Sequence, residues 1–143
     1  MGALCAVAGM ELIAIQRVQA LEAQQREMPQ VEIQTTHSIH AGVYARTCLI
    51  PAGVRITGAL IKIPTTVIVS GDVTVFVGEG SVRLSGYHVI EAQAGRKQVF
   101  TAHADTYVTM LFATDAATVE EAENEFTDEA DMLMSRGLAN RKE

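Results

Sequence analysis

Between residues 31 and 114, short runs of β-branched and aromatic residues alternate with single glycines, and this pattern limits the folds that the chain can adopt. Such side chains favour extended strands, and glycine accepts the positive φ angles of tight turns. The run Val-Thr-Val-Phe-Val at 73–77 is the clearest strand, because its alternate valines form one uniformly apolar face. The segment therefore predicts an all-β core.

Nine short strands are predicted in this core. They lie at 31–34, 43–50, 55–63, 66–70, 72–77, 81–84, 88–92, 98–102 and 106–113. So many short strands in a chain of one-domain length fit a closed or double-sheet antiparallel architecture, because that arrangement leaves few edges exposed. The predicted fold class is an antiparallel β-sandwich.

An amphipathic helix is predicted ahead of the strands, over residues 10–25, because apolar residues recur there at helical spacing among polar ones. This apolar stripe consists of Leu12, Ile13, Ile15, Val18 and Leu21. Either the domain's own sheet or the matching helix of another subunit has to cover it. The second is slightly favoured, since a complete sandwich reserves no place for an extra helix.

A short helical tail is predicted after the strands. Thr118 and Glu121 have the spacing of a capping box that opens an acidic helix, and a second helical piece is predicted at 128–136. The predicted organisation is an N-terminal helix at 10–28, a β domain at 29–114 and a helical tail at 115–137.

The charge balance bears on which partners the chain can have. The 143 residues carry a formal net charge of -6, which disfavours nucleic acid as a partner. No apolar run approaches the ~20 residues of a membrane helix, so a membrane is not expected either. Cys5 and Cys48 are expected to be free thiols, because their contexts give little support for a disulfide.

The titratable residues give no specific catalytic signal. His37 and His40 are three residues apart, but in an extended segment they would not face each other. His88 with Glu91 is an unspecific pair, and His103 is expected at a strand edge. The chain also lacks the glycine-rich phosphate loops of nucleotide-binding proteins.

Arg46 is the most informative charged residue, because two-residue periodicity places it on the same strand face as Tyr44. Pointing inward, it could hold an anionic ligand. Pointing outward, it would lie on the surface or pair with a neighbouring subunit. The outward role is favoured.

Several short motifs between residues 31 and 126, with Pro29 and Gln30 just ahead of them, resemble small cupin-like proteins of tailed bacteriophages and prophages. In chain order the motifs are Pro-Gln-Val-Glu at 29–32, Gly-Val-Tyr-Ala-Arg at 42–46, Ile-Pro-Ala-Gly at 50–53 with Thr-Gly at 57–58, Ser-Gly-Asp-Val at 70–73 and Ala-Gly-Arg-Lys at 94–97. The acidic helix after residue 114 completes the pattern. The resemblance implies a cupin-like jelly-roll.

Metal-binding cupins usually place two histidines and a glutamate soon after the Pro-x-Gly turn. Here the corresponding region, 59–65, contains no such donor, and no His, Asp or Glu occurs from 41 through 71. A first-row metal needs nitrogen, carboxylate or thiolate ligands. The resemblance therefore implies a cupin-like protein that has lost its metal-binding positions, and no metal or other cofactor is expected.

Two functions are compatible with these observations. The favoured one is a non-enzymatic virion-associated or assembly structural protein, which forms homo-oligomers, contacts other phage structural proteins, and is found in the virion or in the host cytoplasm during assembly. The alternative is a metal-free cupin that binds a small anionic ligand, such as a host signal or defence nucleotide, through Tyr44, Arg46 and Arg96.

Overall fold

The computed structural model of the chain describes residues 6–133. Eight strands and two α-helices are present in this range. The strands are β1 (Ala6–Val7), β2 (Gln34–His40), β3 (Val43–Ile50), β4 (Arg55–Thr57), β5 (Thr65–Phe76), β6 (Ser81–Ala92), β7 (Val99–Ala102) and β8 (Thr106–Ala113). The helices are α1 (Leu12–Arg26) and α2 (Val119–Phe126), and a short 3-10 turn follows at Ala130–Met132.

The strands form one connected sheet in the order β1-β6-β5-β8-β3-β2, with a branch in which β7 pairs with both β4 and β5. All pairings between these strands are antiparallel except that of β1 with β6, which is parallel. The sheet is therefore mixed, and the expectation of a purely antiparallel architecture is wrong at this edge. The mostly-strand character of the fold is as predicted.

β5 and β6 are long strands where two pairs of short ones were predicted. Gly71 and Gly86 were interpreted as turns, but they face each other as partners within this single antiparallel pair. β5 pairs with β8 before Gly71 and with β7 after it. A Cβ atom on Gly71 would lie 2.5 Å from Oγ1 of Thr106, so this glycine allows a close approach of two strands rather than a reversal.

Two other predicted strands have different bounds in the structure. The strand predicted at 31–34 is β2, which begins at Gln34 and runs through a polar segment to His40. The strand predicted at 55–63 ends at Thr57, and beyond it Ile61 makes only an isolated bridge to Arg96. β2 is an edge strand, and alternating polar residues at an edge give a weak apolar signal.

α1 packs on its own domain through part of its apolar stripe, and the cover by a partner subunit that was slightly favoured stays a prediction for the rest. Ala14 and Val18 are buried, while Leu12 and Ile13 of the predicted stripe stay 69% and 58% exposed. The helix is held from its C-terminal half, where the hydroxyl of Thr57 donates to the side chain of Gln25. The sandwich thus has room for a helix on its surface.

α2 begins with the predicted capping box. The side chain of Thr118 accepts from the backbone N–H of Glu121 at 3.1 Å, and the Glu121 carboxylate accepts from the N–H of Ala117 at 3.3 Å. Of the second helical piece predicted at 128–136, the structure has the 3-10 turn, and residues from 134 onward lie outside the described range. None of the helices between residues 6 and 133 is long and apolar enough to cross a membrane.

Candidate functional site

The inner side of β2 and β3 carries a cluster of polar side chains, which we call the inner polar cluster: His37, Tyr44, Arg46 and, from α2, Glu123. Antiparallel pairing puts His37 directly opposite Arg46, and two-residue periodicity adds Tyr44 to the same face. Nδ1 of His37 and the hydroxyl of Tyr44 share a hydrogen bond of 2.7 Å. The Arg46 guanidinium donates to the Glu123 carboxylate at 3.1 Å.

α2 covers this cluster. Tyr44 is fully buried, and the side chains of Arg46 and Glu123 are only 11% and 4% exposed. Phe126 of α2 stacks on Tyr44 and also lies beneath the Arg46 guanidinium, 5.7 Å from it. The cation therefore has both its charge and its planar face satisfied by residues of the same chain.

The burial of this cluster shifts two pKa values. Burial lowers the pKa of His37, and the positive charge of Arg46 lowers it further against the opposing effect of Glu123. Burial also raises the pKa of Tyr44. Both shifts keep these two side chains neutral near pH 7, so Arg46 and Glu123 are the charged members of the cluster.

Arg46 thus points inward, contrary to the favoured expectation of an outward role. The position where an inward arginine would hold an anion is taken by Glu123, which lies 77 residues further along the chain. Sequence periodicity placed Tyr44 and Arg46 together correctly. It gave no sign of Glu123, because a contact of that separation depends on how α2 folds back over the sheet.

Arg96, the third residue of the predicted anion site, lies in a different hydrogen-bond network. It is 2% exposed and donates to the carbonyl of Gln93 at 2.7 Å and to the Thr65 hydroxyl at 2.5 Å. Burial lowers its pKa to about 10, so it stays protonated at neutral pH. None of its hydrogen bonds within residues 6–133 reaches Tyr44 or Arg46.

Lys97 is a buried charged residue that the sequence analysis did not single out. Its side chain is fully buried, with the ammonium group 3.2 Å from the Glu22 carboxylate of α1 and 2.8 Å from that of Glu129. Burial alone would raise the pKa of Glu129, but hydrogen bonds from Lys97 and the N–H of Leu60 lower it on balance. Lys97 therefore joins α1 and the C-terminal segment to the sheet.

The donors on this inner side do not fit a metal ion. The inner polar cluster offers one imidazole, that of His37, and one carboxylate, that of Glu123. The Glu123 carboxylate is paired with Arg46, and the positive charge of Arg46 opposes the binding of a metal cation. Among residues 6–133 no three His, Cys, Asp or Glu side chains converge in a metal-binding group. In the 59–65 region, where the resemblance implies ligands, Ala59, Ile61 and Ile63 pack against the apolar cluster around Tyr44.

The other three histidines lie apart from the inner polar cluster, and two of them have local partners. The His88 ring shares a hydrogen bond of 2.8 Å with the backbone carbonyl of Ser85, and the His103 ring shares one of 2.6 Å with the Thr74 hydroxyl. His40 is exposed at the end of β2. None of the three joins the inner polar cluster in the described hydrogen bonds.

The opposite side of the same strands forms an open surface, which we call the outer sheet face. β6, β5, β8, β3 and β2 each contribute one residue to each of three parallel rows. The rows are Tyr87, Ser70, Tyr107, Leu49 and Gln34; Val89, Ile68, Thr109, Thr47 and Thr36; and Glu91, Thr66, Leu111, Ala45 and Ser38. None of these fifteen residues is buried.

The outer sheet face is almost uncharged. Charged residues make up 20% of the chain, so fifteen positions would hold three at that rate, yet Glu91 is the single charged member. Tyr87, Val89 and Tyr107 are 67%, 52% and 52% exposed. A contiguous exposed surface that combines tyrosines, aliphatic residues and threonines with so little charge has the composition of a protein interface.

The sequence matches no family model and no curated protein. Solved structures that resemble this chain in part include a cupin superfamily protein from Desulfitobacterium hafniense, with a TM-score of 0.48, 10% identity and coverage of 62% of this chain and 83% of that one. A cupin 2 conserved barrel domain protein from Salinispora arenicola has a TM-score of 0.45, 12% identity and coverage of 67% and 88%. A cupin 2 conserved barrel domain protein from Leptotrichia buccalis has a TM-score of 0.46, 12% identity and coverage of 62% and 44%.

These similarities are distant. With TM-scores below 0.5 and identities of 10% to 12%, they say nothing about ligands or partners of this chain. What the protein does has to be inferred from its own side chains.

Proposed function

We propose that this chain is a non-enzymatic structural protein that assembles through its outer sheet face. The observation that carries the proposal is the near absence of charge across fifteen positions on five adjacent strands. When one face of an antiparallel sheet only contacts water, that face normally carries charged and strongly polar residues. Threonine, valine and tyrosine on a flat surface instead favour packing against another surface.

A second copy of the chain is the partner that we propose. Two identical sheet faces can stack with aligned strands about a two-fold axis, so that each row meets its own counterpart. Fifteen residues a side come close to the roughly 20–30 of a standard-sized interface, and neighbouring loops would supply the rest. Glu91 lies at the margin of the face, so a dimer can form without burying its charge.

In the phage setting that the resemblance implies, this assembly would be a virion-associated or assembly protein, in the virion or in the host cytoplasm, that also contacts other phage structural proteins. Detection of the chain by mass spectrometry in purified particles supports that placement. Its absence from particles, with the chain present in infected cells, contradicts a virion location.

The alternative of an anion site at Tyr44, Arg46 and Arg96 receives less support. An incoming anion would have to displace Glu123 from Arg46 and lift α2 from the sheet. Separating such a buried pair costs about 3–5 kcal/mol. A ligand would have to recover that free energy before it gained any affinity.

Light scattering after size-exclusion chromatography tests the proposed assembly. At micromolar concentration the wild-type chain is expected to have at least twice its monomer mass of 15.4 kDa. Tyr87→Lys and Val89→Lys, which each place a charge in the face, are expected to reduce the mass to that of a monomer. Leu12→Lys, at a 69% exposed position on α1, is the matched control and should leave the oligomer intact.

Two results would contradict the proposal. One is a wild-type chain that remains monomeric across the micromolar range. The other is an oligomer that both lysine variants leave unchanged, since the interface would then lie elsewhere. Circular dichroism of each variant confirms that it is folded, and the exposed positions of Tyr87 and Val89 make that the expected outcome.

A further inference from the structure

A groove of about 350 Å³ lies between α1 and the branch of the sheet formed by β4, β7 and the end of β5. Its apolar floor consists of Val18 and Leu21 from the helix and Phe76 and Val99 from the strands. Phe76 and Val99 face each other in the register of β5 and β7. The volume lies at the lower end of the range for small-molecule sites.

Two arginines line this groove, Arg17 from α1 and Arg55 from β4. Nε of Arg55 donates to the Thr101 hydroxyl at 3.1 Å, and its two terminal nitrogens donate to no group of residues 6–133. Thr74 and Ser81 add two further hydroxyls to the lining. No carboxylate from residues 6–133 lines the groove, although Asp and Glu outnumber Lys and Arg by 17 to 11 in the chain.

The other arginines between residues 6 and 133 are satisfied differently. Arg26, Arg46 and Arg83 each form an ion pair with a carboxylate, and Arg96 is buried among carbonyl and hydroxyl acceptors. Neither arginine of the groove forms an ion pair in this part of the chain. Two guanidinium groups beside an apolar floor, without a carboxylate, are complementary to an anion that carries an apolar body.

We propose that this groove binds a small amphipathic organic anion, such as a medium-length aliphatic carboxylate, with its charged end between Arg17 and Arg55 and its apolar body on Val18, Leu21 and Phe76. The site is distinct from the anion site predicted at Tyr44, Arg46 and Arg96. It shares no residue with the outer sheet face, so it stands or falls independently of the proposed assembly.

Titration of the ¹⁵N-labelled full chain with octanoate, followed by two-dimensional NMR, tests the site. Shifts are expected at groove amides such as those of Val18, Thr74 and Thr101. Octanol, which has the same apolar body without the charge, is expected to bind at least tenfold more weakly. A charge-assisted hydrogen bond to an anion carries discrimination of about this size.

Variants separate the two contributions. Arg17→Gln with Arg55→Gln is expected to weaken octanoate binding at least tenfold and to leave the weak octanol binding unchanged. Arg26→Gln removes the same charge from the same helix, outside the groove, and should bind octanoate like the wild type. The proposal is overturned if octanoate produces no shifts, if the shifts lie outside the groove, if octanol binds as tightly as octanoate, or if the double variant retains wild-type affinity.

Discussion

The two faces of β3 differ in how their side chains are satisfied. Tyr44 and Arg46 on the inner face are paired with His37 and Glu123 and covered by α2. Ala45 and Thr47 on the outer face carry no charge and lie open with their neighbours across five strands. Polar groups that already have hydrogen-bond partners inside a protein are unavailable to a ligand, whereas exposed apolar surface is stabilised when a partner covers it.

The same contrast separates the two kinds of arginine. Arg46 is largely buried and paired with a carboxylate of its own chain, while Arg17 and Arg55 line an open groove in which no residue between 6 and 133 supplies a counter-charge. The residues that the sequence marked as a ligand site are therefore engaged in contacts within their own chain. The two surfaces that we propose for binding, the outer sheet face and the groove beside α1, consist of residues that form no recognisable sequence motif.

Loss of the Lys97 cation is expected to have the largest effect on the free energy of unfolding. Lys97→Met leaves Glu22 and Glu129 without their shared partner, which should cost about 3–5 kcal/mol. Lys62→Met breaks an exposed pair with Asp128 and should cost less than about 1 kcal/mol. Urea denaturation measures both, and equal small losses would mean that Lys97 is not a buried junction.

Removal of Arg46 is the next largest test. Arg46→Met removes the cation that pairs with the buried Glu123 carboxylate and should destabilise the fold by about 3 kcal/mol. Arg46→Met with Glu123→Met replaces the pair by apolar side chains and should recover most of that loss. If the double variant loses as much free energy of unfolding as Arg46→Met and Glu123→Met lose together, the two charges do not interact.

Two valines compare the inner and outer sides directly. Val69→Ala removes two methyl groups from the fully buried core and should cost about 2 kcal/mol. Val89→Ala lies on the outer sheet face and should cost less than about 0.5 kcal/mol. Both are measured by urea denaturation in the Tyr87→Lys background, which we expect to be monomeric, and similar losses would contradict the contrast between the faces.

The smallest expected effect is the pH dependence from His37. Because its pKa is lowered in the folded protein, the unfolded chain binds the proton more tightly, so stability falls as pH drops below the ordinary histidine pKa of 6.5. His37→Asn should reduce the difference in unfolding free energy between about pH 7.5 and about pH 5.5. A His37→Asn variant with the full wild-type pH dependence would contradict the assignment.

Strands with strong alternation were predictable from the sequence. β3 and β8 have the bounds that were predicted, because their β-branched and aromatic residues define both faces locally. β2 was displaced, since two of its three inward residues, Thr35 and His37, are polar. Gly71 and Gly86 were mistaken for turns, because a glycine within a bent strand and a glycine in a turn leave the same local pattern.

The site was less predictable than the fold. The alignment of Tyr44 and Arg46 follows from strand periodicity, but the pairing of Arg46 with Glu123 depends on contacts 77 residues apart. Lys97 follows a glycine and another basic residue, a pattern typical of an exposed turn, so nothing local indicated its burial. The outer sheet face appears only when the strand register is known, because its rows combine residues from five strands.

Methyl relaxation by a neutral soluble gadolinium chelate tests the central claim that the outer sheet face is covered in solution. In the isolated chain, Val89 and Leu12 are 52% and 69% exposed, and Val69 is fully buried. If the face is an interface, the Val89 methyls in the wild-type protein should be relaxed as weakly as those of Val69, and those of Leu12 strongly. Relaxation of Val89 as strong as that of Leu12 would contradict the account.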